Sequence, residues 1–370
     1  MDFNVSVVFP VVQPTFILAL RACAALTILW HHFALYPPLS EWAAPLYGDL
    51  LAWLAEYARA TQVFFVVSGY VAARTIGRRL WGLRQLGQFS VQRYCRLGLP
   101  YLAVVVLILP IYEFARGWLP DEVLGQPVSL AQFLAHLFLL QDILGYEALS
   151  AGLWFVCINF QLGFGYALGL AVQQRFGRGG DGVFTVIGWA TSIYSLFHFN
   201  LDPAGECWAM YFFPYFFLGI QVNKALVSRQ AGEFLAFQGL VLLAVIYEWR
   251  WRLVIAMIFA MVLYVAERSG LGQRWPKSRL LAVLGEVSFS LFLIHFPVLV
   301  LTSTIWARLG WTSPEAGAAG LLLAFLGSVF GALLFHRWVE TPAARLARRF
   351  RVPTRPDDGE SADRRLAFER

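Results

Sequence analysis

Apolar residues fill this chain in long stretches, parted by short loops that carry arginine. Ten stretches stand out, at residues 14–36, 50–72, 97–115, 152–173, 183–199, 207–222, 233–248, 252–266, 280–301 and 316–336. Most approach the roughly 20 residues that a bilayer's hydrocarbon thickness asks of a helix. None shows the strict alternation of a barrel strand. In lipid each span must then close its own backbone hydrogen bonds as a helix. The pattern predicts an all-α integral membrane protein of about ten transmembrane helices. A shorter amphipathic piece, Ser129–Gln141, is too short to cross and is expected in the interface. Phe16–Trp30 has the length of a signal-peptide core, but Arg21 interrupts it and no small-residue cleavage site follows. It reads as a retained span.

Composition strengthens this reading. Hydrophobic residues make up 59% of the 370 and charged ones 14%, against about 45–50% and about 25% in soluble domains. The charge distribution then sets orientation. With the N-terminus inside, the loops and tail on that side hold 23 Lys and Arg, the opposite face holds 4, and Arg21 and Arg59 lie within spans. Both termini are therefore expected in the cytoplasm and the protein in the inner (plasma) membrane, multi-pass. The net charge of +6 is a topology signal rather than a nucleic-acid footprint. Residues 1–350 read as one membrane domain, and 351–370 as a charged, disordered cytoplasmic tail. The four cysteines have neither CxxC spacing nor a nearby His, so no metal site is expected and they read as small apolar fillers.

The first span carries the sharpest chemistry. In LRACAALTILWHH, Arg21 and His32 are eleven positions apart. That is about three helical turns, so both point the same way, about 16 Å apart along the axis. An arginine inside a span costs about 2.5–3.5 kcal/mol on insertion scales and normally faces the protein interior or a wet cavity. Arg21 could hold a phosphate-bearing ligand. His32, expected further towards the outer half, could act as a general base on an alcohol. The plainer alternative is that Arg21 snorkels to the inner interface and His32 caps the helix. His31 points about 100° away from the Arg21 face and ranks second.

Leu20, Arg21 and His32, set among small and apolar residues, resemble the hallmark of the integral-membrane acyltransferase-3 family. Further likenesses follow in order: VFFVVSGY (Val63–Tyr70), Phe89 with Arg93, Arg96 and Pro100, Trp154 in AGLWFV, LGEVSFSLFLIHFPV (Leu284–Val298) and RWVETP (Arg337–Pro342). The resemblance implies an O-acyltransferase that moves an acyl group from cytoplasmic acyl-CoA to a hydroxyl of a glycan or lipid. Acetyl-CoA is the commonest donor expected, with no metal and no tightly held cofactor.

On that resemblance His32 and Arg21 are the catalytic pair. Arg93, Arg96 and Ser68 are expected to hold the donor, and His295, Trp154 and Asn159 the acceptor. Many members place Glu where Asn159 stands, five residues after the Trp. Taken without the resemblance, Ser68–Gly69 is more simply helix packing, and Arg93 and Arg96 a topology signal that also binds anionic lipid. His295 is then a packing residue, Glu56 and Arg59 a pair, and Glu340 a structural partner of a nearby Arg. The competing class is a proton-coupled transporter or flippase, which intramembrane Arg and His would also suit. No internal repeat supports it.

Overall fold

A computed structural model describes residues 15–77, 79–175, 180–275 and 278–353. Most of the expected tail and Arg78, Arg178 and Lys277 lie outside them. Of the tail, only 351–353 are described, and Val352 there is buried against the rest of the chain.

The described residues are helical, with no strand. In order they form α1 (Thr15–Leu35), α2 (Leu39–Tyr57), α3 (Thr61–Ile76), α4 (Leu83–Arg93), α5 (Leu99–Ala115), α6 (Asp121–Leu124), α7 (Leu130–Leu137) and α8 (Leu153–Arg175). There follow α9 (Gly180–Phe197), α10 (Ala209–Ser228), α11 (Gly232–Tyr247), α12 (Trp251–Arg268), α13 (Leu271–Arg274), α14 (Arg279–Glu286), α15 (Ser288–Leu309), α16 (Pro314–Phe335) and α17 (Thr341–Arg348). Seven helical segments among these are long and apolar enough to cross a membrane, and α11 is a shorter apolar helix. The protein is a multi-pass membrane protein, and each of the ten apolar stretches holds helix.

Two stretches break where hydropathy gave no sign. The one read as 50–72 divides at 58–60 into α2 and α3, and α2 itself kinks at Tyr47 after Pro45. The one read as 280–301 divides at Val287, where the Ser288 hydroxyl donates to Gly285 O at 2.9 Å and closes α14. Glu286 therefore ends α14, and a separate helix carries His295. The amphipathic piece at 129–141 contains α7, capped by the Ser129 hydroxyl, which accepts from the Gln132 amide. Its His136 is buried under α5.

Two turns of π-helix interrupt otherwise continuous helices, Tyr94–Gly98 between α4 and α5 and His336–Glu340 between α16 and α17. Each ends two residues before a proline, Pro100 and Pro342. A proline lacks the N–H and crowds the carbonyl four residues back, which is Arg96 in one case and Trp338 in the other. The ladder answers by widening to five-residue bonds, Leu99 N–H to Tyr94 O and Thr341 N–H to His336 O.

The helix ends gather the charges. Leu18 lies against Gly285, Phe16 stacks edge-on to Trp275 at 5.2 Å, and Glu267 meets Arg74 at 3.8 Å. These contacts bring the start of α1, the ends of α3 and α12, and α14 to one arginine-rich face. At the other end the first half of α2 lies on the start of α16, where a Cβ on Gly317 would come 2.7 Å from Ala43 N. The tightest helix crossing is α3 on α10. A Cβ at Gly69 would sit 1.9 Å from Phe216 O, and one at Gly219 would sit 2.0 Å from Val66 O. Two opposed glycines let these backbones touch.

Candidate functional site

Arg21 and His32 share the uninterrupted helix α1, so the expected register holds. His32 does not cap that helix at an interface. Its Nδ1 lies 2.7 Å from Nε2 of His295 on α15, with the two rings nearly parallel, 7° apart at 5.0 Å between centroids. The other nitrogen of His295, Nδ1, lies 3.2 Å from Leu291 O. A carbonyl only accepts, so His295 Nδ1 carries the hydrogen and its Nε2 presents a lone pair. His32 then donates through Nδ1–H. This tautomer, assigned from the hydrogen-bond network, leaves the lone pair on His32 Nε2. An acceptor fixing one imidazole nitrogen so that the other can take a proton is the arrangement of an oriented general base.

His31 is engaged elsewhere, its Nδ1 3.2 Å from Leu54 O. The separation of the two neighbouring histidines follows from their 100° rotation around the helix. His32 is ringed by protein yet keeps part of its surface open, whereas His295 is wholly buried. His32 thus keeps an accessible edge, and His295 supports it from behind.

His295 is seven residues from the start of α15 and fourteen from its end at Leu309. At 1.5 Å per residue that is about 10 Å from the α14 end and about 21 Å from the other. His295 is thus nearer the α14 end of its own helix, because the break at Val287 shortens that helix.

Around Arg21 the structure collects charges from three other elements: Glu340, Arg96 and Glu286. Both π-turns contribute, one with Arg96 and the other with His336 and Glu340. Glu340 is the anchor. Its Oε2 accepts from the Ser290 hydroxyl at 2.6 Å and lies 3.0 Å from His336 Nδ1. Sequence reading gave Glu340 only a structural place and passed over Ser290 and His336. The signal was present, since Ser290 belongs to the same SFSLFLIHFP run as His295.

Arg93 is held against α8. Its Nη2 donates to Asn159 O, and to Asn159 Oδ1 at 3.2 Å, and its guanidinium lies flat on Gly163 of α8. Asn159 is therefore the partner of Arg93. Gly163 escaped the sequence reading, because nothing local marks a glycine that makes room for a residue 70 positions away.

Trp154 packs at a tilt against Phe212 and Phe65, with ring centroids 5.2 and 6.3 Å apart, inside an aromatic cluster that runs through Phe155 and Phe292 to His295. Ser68 is part-exposed beside the α3–α10 crossing and makes no hydrogen bond with a described residue. Glu56 and Arg59 do pair, at 3.8 Å. Cys157 is more than a filler: its sulfur accepts from Gln141 Nε2 at 2.8 Å.

On the face opposite the arginine-rich one, a cleft of about 300 Å³ is lined by Glu56, Arg59, Asn200, Glu206, Tyr211, Tyr215, Arg250, Trp251 and Arg252. Arg59 and Arg252 of this cleft act electrostatically on His31, which puts the cleft on the His31 side of α1. Arg252 is fixed by Glu206 at 2.5 Å, and Arg250 by Asn200 Oδ1 at 2.8 Å. Among the described residues no group of three or more His, Cys, Asp or Glu could hold a metal ion.

The chain finds no match among curated proteins or solved structures. A family model described as an acyltransferase domain does match it, over residues 15–337. That match takes in α1 with its Arg21–His32 register, the α15 helix of His295 and the first residues of the second π-turn. The chain belongs to the acyltransferase-3 family of membrane acyltransferases.

Proposed function

We propose that this membrane acyltransferase is an O-acyltransferase of the inner membrane. It takes an acyl group, acetyl by expectation, from acyl-CoA and places it on a hydroxyl of a glycan or lipid. The observation that carries the reading is the His32–His295 pair, which leaves His32 Nε2 as the lone pair able to accept a proton.

In this scheme the donor approaches from the arginine-rich face, its phosphates towards Arg21 and Arg96. Glu340 positions Arg21. The acceptor comes from the opposite cleft, whose carboxylates, guanidiniums and aromatic rings suit a polyhydroxy compound. His32 Nε2 removes the hydroxyl proton as that oxygen attacks the thioester carbonyl. A C–O bond forms, the C–S bond breaks, and the proton passes from His32 to the departing thiolate. A brief acyl-His32 intermediate would balance equally. His295 stabilises the imidazolium form through the Nδ1–H bond. Arg93 keeps a supporting part in this scheme, holding α4 to α8 through Asn159. Ser68 and Trp154 border the space between the two approaches.

Mass spectrometry of envelope glycans and lipids tests the reading in three otherwise identical strains: lacking the gene, carrying it intact, and carrying His32→Ala with insertion verified. One acyl mass present only with the intact gene supports it. Identical spectra from expressing strains would overturn it.

A further inference from the structure

Three helices end together on the arginine-rich face: α3 at Ile76, α10 at Ser228 and α12 at Arg268. Between their ends lies a cleft of about 390 Å³, lined among others by Tyr70, Arg74, Asn223, Arg229, Glu267 and Arg268. Three guanidiniums meet a single carboxylate there, and that carboxylate is already engaged. Glu267 Oε2 accepts from the Tyr70 hydroxyl at 3.1 Å and lies 3.8 Å from Arg74, whose Nη1 donates to the Tyr70 oxygen at 3.1 Å. One wall of the cleft is thereby held in place. Arg229 and Arg268 form no side-chain hydrogen bond or ion pair with a described residue.

Arginines at helix C-termini complement the helix dipoles and mark topology. Neither role calls for a cleft, and neither accounts for the backbone of Arg229. It holds a left-handed backbone, φ +58°, at the position after α10 where glycine sits without strain. A charged side chain kept at a strained backbone position and facing a concave wall is the pattern of a binding site.

This cleft is separate from the approach to His32. Phe16 and Arg21 lie five residues apart on α1, so they face about 140° apart. Phe16 lies towards Gly272 and the Glu267 side, whereas Arg21 lies among Glu340, Glu286 and Arg96.

We propose that the cleft binds a phosphate group through Arg74, Arg229 and Arg268. Guanidinium forks match phosphate oxygens in pairs. The space leaves room beyond a bare phosphate for the rest of a headgroup, and the source is either an acidic lipid of the adjoining leaflet or a soluble phosphate.

The test uses the purified full chain in phosphatidylcholine nanodiscs. It follows the thermal midpoint with and without phosphatidylglycerol, and separately with sodium pyrophosphate. Wild type is expected to be stabilised by at least one of them, a lipid-only response assigning a lipid headgroup and a pyrophosphate response a soluble anion. The double variant R229Q/R268Q should weaken that binding, about fivefold for each guanidinium removed. R84Q/R345Q, removing two exposed arginines of the same face, should leave it unchanged. Arg229→Gly relaxes the backbone while removing the charge, so it should bind more weakly and yet fold at least as well. No stabilisation of wild type by either ligand, or equal loss in R229Q/R268Q and R84Q/R345Q, would overturn the site.

Discussion

His32 Nδ1 lies 2.7 Å from His295 Nε2, and the far nitrogen of His295 is committed to Leu291 O. Two histidines 263 residues apart in sequence thus fix each other's tautomers. His295 acts through His32 and is a positioning residue. His295→Ala is expected to lower kcat about 10- to 100-fold while leaving donor KM nearly unchanged. His295→Gln, whose carbonyl can still accept from His32 Nδ1–H, should recover part of that loss. Steady-state kinetics of the two variants check the split. Equal losses from both would point to a packing role.

Arg93 rests on Gly163 with no room to spare, since a Cβ there would come 2.3 Å from its guanidinium carbon. Gly163→Ala should push Arg93 off Asn159 and loosen α4 against α8. A fall in thermal stability of about 1–3 kcal/mol is expected, as for overpacking elsewhere. Replacing Asn159 by Ala removes only one of the two acceptors, because the backbone carbonyl remains. It should therefore cost less, about 1 kcal/mol. The order of the two effects is the check, read from unfolding midpoints in one detergent.

The crossing of α3 and α10 depends on Gly69 and Gly219 in equal measure. Either one changed to Ala should separate these helices and lower the yield of folded protein, whereas Ser68→Ala should fold normally. Size-exclusion profiles of the three variants decide this. A well-folded Gly69→Ala would show that the close approach is not required.

Asp142 supplies a pH dependence. Burial pushes its carboxyl up to about 6 from 3.8, against a hydrogen bond from Gln141 that favours the charged form. A raised folded-state value means that its contribution to stability is full below 3.8 and is lost as the pH rises through 6. The neighbouring His136, pushed by burial down to about 4 from 6.5, works the other way. Its contribution is full above 6.5 and lost as pH falls towards 4, so wild-type stability should change little across this window. Asp142→Asn isolates the carboxyl. It should gain on wild type between about pH 4 and about pH 6.5, by about 1–2 kcal/mol allowing for its partial exposure. A constant difference across that range would contradict the assignment.

What could be read from the sequence was what local periodicity carries. The apolar stretches gave helices, and eleven positions put Arg21 and His32 on one face of α1. The Gly69 packing alternative was legible from its neighbours alone, though its partner Gly219 was not. Long-range geometry was illegible for a physical reason. Hydropathy cannot tell a span from two helices joined at Val287, because the break comes from a serine side chain bonding back to the chain. The π-turns had a local cause in Pro100 and Pro342, but where they aim Arg96 and Glu340 depends on the helices beside them. Arg93 looked like a donor contact because arginine on that face suits phosphate. Its actual neighbour, Asn159, sits on a helix that nothing in the sequence ties to it.

The most direct measurement is transfer of label from radioactive acetyl-CoA by the purified protein in proteoliposomes with envelope glycan extract, comparing wild type, His32→Ala and His31→Ala. The account predicts that His32→Ala loses about 10²- to 10⁴-fold in transfer rate, the loss expected of a general base. It predicts that His31→Ala, whose ring is tied to Leu54 O, keeps most of its activity. Normal transfer by a correctly inserted His32→Ala would contradict it.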